Sequence, residues 1–307
     1  MVEIAMNGSS NTVAPWLLPD GTLPTAERGA RVLLVLGKGG VGRTTTTALL
    51  AHGAHAAGLK VLVVAIDGKS SLHRLCPDEV DVRSVSAGSA LEDYLLDQGF
   101  GNFARRLAQS GVIEVVGAAA PGIHDLVVLG KVKQFANAGQ HDVVILDAPA
   151  TGHATSMLSS VSGLLNIVEG GPIREQALDV QRLLIDADRC GAVVVTKAET
   201  TPVNESIELI SAIHSVDVAF AGAIVNAVEP DKLLINLPET ERSHLPSEVA
   251  EMIDAAIARH QQSRHNISRF VDALGTSVME VEKLATADLN RDLVAELANS
   301  AYGESVS

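Results

Sequence analysis

Aromatic side chains make up only 3% of this 307-residue chain. A core cannot be built around rings at that level. The 47% hydrophobic content must instead pack through Val, Leu, Ile and Ala. Such a composition suits a parallel sheet buried under helices on both faces. Basic residues are also few: 23 Lys and Arg stand against 37 Asp and Glu, a net charge of −14. That balance excludes broad electrostatic binding to nucleic acid or to an anionic membrane, although local basic patches remain allowed. Two cysteines, Cys76 and Cys190, are far apart and lack metal-ligand spacing. They support no disulfide framework, fit a reducing compartment, and read as small buried hydrophobes. No apolar run approaches the roughly 20 residues that span a bilayer. The N-terminus lacks a basic region followed by a long apolar one, so no signal peptide is expected. The expectation is a soluble cytoplasmic protein.

What the chain does have is concentrated at residues 37–45, Gly37-Lys38-Gly39-Gly40-Val41-Gly42-Arg43-Thr44-Thr45. The apolar run Val32 to Leu36 leads into it, and a helical stretch from Thr46 to Ala57 leaves it. Strand, glycine-rich turn and helix form the context of a phosphate-binding loop. Glycines let backbone N–H groups face inward, and the helix start adds partial positive charge. A triphosphate is the natural guest, and Thr44 stands where a hydroxyl ligates Mg²⁺. Arg43 occupies the usual place of the Walker lysine. The competing reading is a glycine-rich βα turn without a ligand, which a nine-residue match with both flanks disfavours.

Further along, Lys60 to Ile66 reads as a buried strand ending in Asp67. A carboxylate there lies on the ligand side of a doubly wound sheet, as either a helix cap or a site residue. Leu91 to Leu96 and Phe103 to Leu107 read as short amphipathic helices. Ile113 to Val116 is a short apolar run, and a helix starts at Ile123 or His124. The strand Asp142 to Leu146 ends in Asp147, the Walker-B arrangement, whose carboxylate can hold Mg²⁺ opposite Thr44. A helix follows Pro172 with Ala177, Val180, Leu183, Leu184 and Ile185 inward. Ala192 to Thr196 is another strand, and Pro202 sits in the first turn of the helix after it. The strand Ala219 to Val225 ends at Asn226, whose amide can read an adenine edge. Residues 229–265 look like an insertion, with a helix from Ser247 to His260. Val278 to Val281 is a last strand, and Asp288 to Ala301 a closing helix. The fold class is therefore α/β, a doubly wound, mostly parallel sheet flanked by helices. Residues 1–28 read as a loose tail. Residues 29–303 read as one domain, with a helical elaboration at about 88–140.

With Lys38 directly after the first glycine, the loop resembles the deviant P-loop. Together with Asp147-Ala148-Pro149-Ala150-Thr151-Gly152-His153, the chain resembles the ArsA-type branch of P-loop ATPases over roughly residues 31–301. That branch includes arsenite-pump ATPases, the factor that targets tail-anchored membrane proteins, and short bacterial relatives. The resemblance implies an ATP- and Mg²⁺-dependent dimeric switch protein. It implies that Lys38 reaches the partner's phosphates, Asp67 orients the attacking water, Asn226 contacts adenine and Glu199 lies near the nucleotide.

The departures define the alternatives. Arginine keeps the charge of the Walker lysine but is planar and bulkier. A second reading is thus a nucleotide-binding, weakly active subunit that regulates an active ATPase in a hetero-oligomer. A third, a partition-type ATPase on DNA or membrane, runs against the acidic charge and the lack of a basic amphipathic C-terminal helix. Asp67-Gly68-Lys69-Ser70 differs from the branch's Asp-Pro-Ala-His. No Cys-x-x-Cys pair supports a zinc-clasped homodimer, no cysteine cluster supports arsenite, and no Met-rich insertion marks a groove for membrane helices. The partners implied are ATP, a second copy or a related ATPase, and a client protein. Membrane contact would be indirect at most.

Overall fold

The computed structural model describes residues 29–66, 71–97, 122–149, 151–229, 245–286 and 288–302. The tail before residue 29, Asp67, the stretches Phe103 to Leu107 and Ile113 to Val116, and most of the loop after residue 229 lie outside the described residues.

Seven strands form a parallel sheet: β1 (Arg31–Gly37), β2 (Val61–Ile66), β3 (Asp81–Val85), β4 (Val143–Asp147), β5 (Cys190–Lys197), β6 (Phe220–Val228) and β7 (Met279–Glu282). Their order is β3-β2-β4-β1-β5-β6-β7, so β1 lies at the centre. The central strands are buried on both faces, which is why they read as continuous Val/Leu/Ile runs rather than alternating ones. Val32, Leu34 and Leu36 of β1 face one core, and Leu33 and Val35 face the other.

Helices cover both faces. On one side lie α1 (Arg43–Ala56), α2 (Ser71–Leu75) and α9 (Arg291–Tyr302), whose Leu49, Leu50, Leu72, Val294 and Leu297 join the second core. On the other lie α3 (Ala87–Asp97), α4 (Ile123–Asn137), α5 (Thr151–Ile167), α6 (Pro172–Ile185), α7 (Thr200–Ser215) and α8 (Ser247–Leu274). Leu129, Val161, Val180, Ile213 and Phe270 carry them into the first core. This is the doubly wound arrangement the sequence predicts, and its ligand side is the carboxyl edge of the strands.

Some local expectations change. The first helix begins at Arg43 rather than Thr46, so both Arg43 and Thr44 are in its first turn. Ile185 is 47% exposed rather than inward, because it is the last residue of α6 before the chain turns extended at Asp186. The helix from Ser247 continues past His260 to Leu274, 28 residues in all. No Gly or Pro interrupts it until Gly275, which takes the left-handed conformation at φ 66° and stops the helix. Asn226 lies within β6, two residues before its end. The edge strand β3 is not visible in the sequence pattern. It pairs with β2 alone and carries Asp81 and Arg83, whose side chains bond each other.

Cys76 and Cys190 are buried and unpaired. Burial pushes both thiols up to about 12. A thiol that is neither ionised nor exposed is a poor nucleophile. Neither cysteine should react with Ellman's reagent in the native protein at pH 8, and both should react once guanidinium unfolds it. Rapid titration of either thiol in the native protein would contradict this packing.

Candidate functional site

Parallel pairing of β1 with β4 aligns Val35 with Asp147. The carboxylate at the end of β4 thus stands beside the strand that feeds the glycine loop. Asp147 is fully buried. Its Oδ2 accepts a hydrogen bond from Thr44 Oγ1 at 2.8 Å. One residue back, the Arg43 guanidinium donates to the Ala148 carbonyl. Two successive residues of α1 are therefore tied to two successive residues at the end of β4. Burial lowers the Arg43 pKa, and the Asp147 charge opposes that shift. The arginine remains protonated at any ordinary pH.

The loop between β1 and α1 is open to a ligand in the way its glycines suggest. Gly40 has φ +84°, and a Cβ there would meet nothing within 4 Å. Gly42 caps α1 at φ 92° without a side-chain cap. The first intrahelical bond is Thr46 N–H to the Gly42 carbonyl at 2.9 Å. The amides before it lack intrahelical partners by geometry, which leaves the helix start suited to an anion. The loop is held from β6: Asn226 Nδ2 donates to the Val41 carbonyl at 2.8 Å. A Cβ on Gly42 would sit 2.0 Å from that same Nδ2.

Lys38 is ion-paired with Glu205 of α7, Nζ to Oε1 at 2.5 Å, with both side chains about one-third exposed. Glu199 takes the N-cap position of α7 in extended conformation, with no side-chain cap bond. It helps to line a pocket of about 440 Å³ at the carboxyl ends of β5 and β6, together with Lys197, Thr200, Asn266 and Lys283. Thus Lys38, Arg43, Thr44, Asp147 and Asn226 all lie on or against the loop, whereas Asp67 lies outside the described residues.

Sequence reasoning missed Glu205, the Ala148 carbonyl and Asn266. Nothing in the sequence pairs Glu205 with Lys38 across 167 positions, and a backbone acceptor has no side-chain signal. Asn266 did leave one: it is a buried amide on the helix face that carries Ile267 and Phe270. Among the described residues no group of three His, Cys, Asp or Glu could hold a metal by itself. A cation here would rest on the Thr44 hydroxyl and the Asp147 carboxylate together with its own ligands. Hard oxygen donors of that kind suit Mg²⁺, which keeps several waters and is often held by few protein groups.

Residues 30–170 match the family described as anion-transporting ATPase. Over those residues the chain is similar to ArsA-type P-loop ATPases. It is 27% identical to ATPase BagA of Mycobacterium tuberculosis over 234 residues, covering 68% of each chain. It is 23% identical to ATPase GET3B of Arabidopsis thaliana over 259 residues, 63% of each chain. ATPase ARSA1 of Chlamydomonas reinhardtii is 22% identical over 272 residues, 64% of this chain and 35% of that one. No helix among the described residues is long and apolar enough to cross a membrane.

The Gly42–Asn226 contact gives a test of this ATPase's loop that needs no nucleotide. Gly42→Ala should lower stability by about 1–3 kcal/mol, from strain at positive φ and from the clash with the amide. Asn226→Ala should relieve part of that cost. Urea denaturation of both single variants and the double variant should therefore show a double loss smaller than the sum. Strict additivity would mean that Asn226 does not press on the loop.

Proposed function

We propose that this ATPase binds ATP with Mg²⁺ at residues 37–45 and hydrolyses it as a dimer that signals nucleotide state to a client protein. The observation that carries the proposal is the Thr44–Asp147 hydrogen bond, which joins the loop to the strand-end carboxylate where a metal would be shared. In this reading the backbone of Gly39 to Thr45 cradles the phosphates. Thr44 and Asp147 hold the metal shell, and the Arg43 guanidinium answers phosphate charge. Bound Mg²⁺ would supply neutralisation of charge on the phosphates.

The pocket beside Glu199 receives the nucleoside end, and Asn226, bonded to the Val41 carbonyl of the loop, contacts the adenine. Lys38 leaves Glu205 to meet the phosphates of a second chain, and Asp67 orients water. Catalysis of this kind is positioning plus electrostatics, with no covalent step on the protein. The two buried, unpaired cysteines fit a reducing cytoplasm.

A second reading has an observation behind it. Both cations of the loop already have acceptors within the same chain, Lys38 in Glu205 and Arg43 in Ala148. A subunit that binds ATP but releases neither cation would turn over slowly and would act as the regulatory half of a hetero-oligomer.

Steady-state phosphate release separates the two. On the enzyme reading, the wild type hydrolyses ATP at least about tenfold faster than Lys38→Ala, a loss in the range of one removed charge-stabilising donor. Arg43→Lys then keeps turnover within a few-fold of wild type. If the wild type binds ATP but matches Lys38→Ala in rate, the regulatory reading stands instead.

A further inference from the structure

Arg43 departs from the pattern of its own loop, and the structure shows what the departure reaches. The Ala148–Pro149 peptide has no N–H, because proline supplies none. It presents only its carbonyl, in a residue whose side chain is fully buried. A buried carbonyl requires a donor. The donor is the Arg43 guanidinium, from the first turn of the helix that opens the phosphate loop. Two residues beyond Pro149, α5 begins and runs through Ile167 beneath the sheet. Its Met157, Leu158 and Val161 are buried in the first core. Ala148 thus stands three residues before the first residue of α5.

A guanidinium carries five donors in a planar fork, on three separate nitrogens. One nitrogen can stay on the Ala148 carbonyl while the others face phosphate oxygens. A lysine ammonium carries its three donors on one nitrogen, so both acceptors must lie within reach of that single atom. We propose that Arg43 is a positioning residue: it joins the phosphates directly to the Ala148 carbonyl, so that filling the loop pins Ala148–Pro149 and the start of α5. The Arg43–Ala148 contact is one half of this link, and bound nucleotide would complete it. The inference rests on the reading that nucleotide occupies residues 37–45. It adds that arginine at this position transmits the state of the site and does more than supply charge.

Hydrogen exchange followed by mass spectrometry tests it, with peptides spanning 148–160 as the reporter and peptides of β5 as the internal control. The variants are Arg43→Lys and Arg43→Met. In the empty protein, Arg43→Met should raise exchange in 148–160 about tenfold and leave β5 unchanged, since a local opening is involved rather than global unfolding. With ATP analogue and Mg²⁺ at saturating concentration, checked by calorimetry on the same samples, wild type should gain further protection in 148–160. Arg43→Lys should bind the analogue and gain less than half of that protection. Equal exchange in empty wild type and Arg43→Met would overturn the proposal, whatever happens with nucleotide. So would full protection in liganded Arg43→Lys. Failure of the wild type to bind nucleotide would instead remove the underlying reading. It would be recognised because the empty-state comparison is independent of it.

Discussion

The side-by-side pairing of β1 and β4 is the constraint on which the site depends. The two strands are parallel with Val35 beside Asp147, so β4 ends two residues before β1 runs out into the loop. One end continues into the glycine loop, and the other ends in Asp147 and Ala148. Two contacts of the candidate site cross this junction: Thr44 to Asp147 and Arg43 to Ala148. Slipping the register by one residue would turn β1 side chains into the wrong core and carry Asp147 away from Thr44. The two apolar layers that hold the register are thus part of the site's geometry.

Around that junction the loop is braced from two further strands. Asn226 on β6 fastens the Val41 carbonyl, and α7 after β5 supplies Glu205 to Lys38. The result is a loop whose cationic side chains are held by neighbours while its backbone amides remain oriented by the start of α1. A ligand at such a loop would exchange partners with groups the fold already orients, which would lower the cost of binding.

Much of this was readable from the sequence, for identifiable reasons. The central strands announce themselves because a strand buried on both faces must be apolar throughout. Gly37–Thr45 and Asp147 are legible because each lies where a strand ends and the chain must do something other than pack. The helix from Ser247 was underestimated because polar residues such as Gln261, Gln262 and His265 hide a continuous helix that only Gly275 stops. The edge strand β3 was missed because charged residues tolerate an edge, where only one neighbour is present. The partners of Lys38 and Arg43 were out of reach in principle. One is a glutamate on a distant helix, and the other is a backbone oxygen.

The central claim is that Thr44 and Asp147 make residues 37–45 a magnesium-dependent nucleotide site. Calorimetric titration of a non-hydrolysable ATP analogue, with Mg²⁺ and with EDTA, addresses it most directly when wild type is compared with Thr44→Val. The account predicts binding that tightens at least about tenfold with Mg²⁺ in wild type, a gain that Thr44→Val loses while retaining Mg²⁺-free binding. Binding that is absent, or equally tight in EDTA for both proteins, would contradict it.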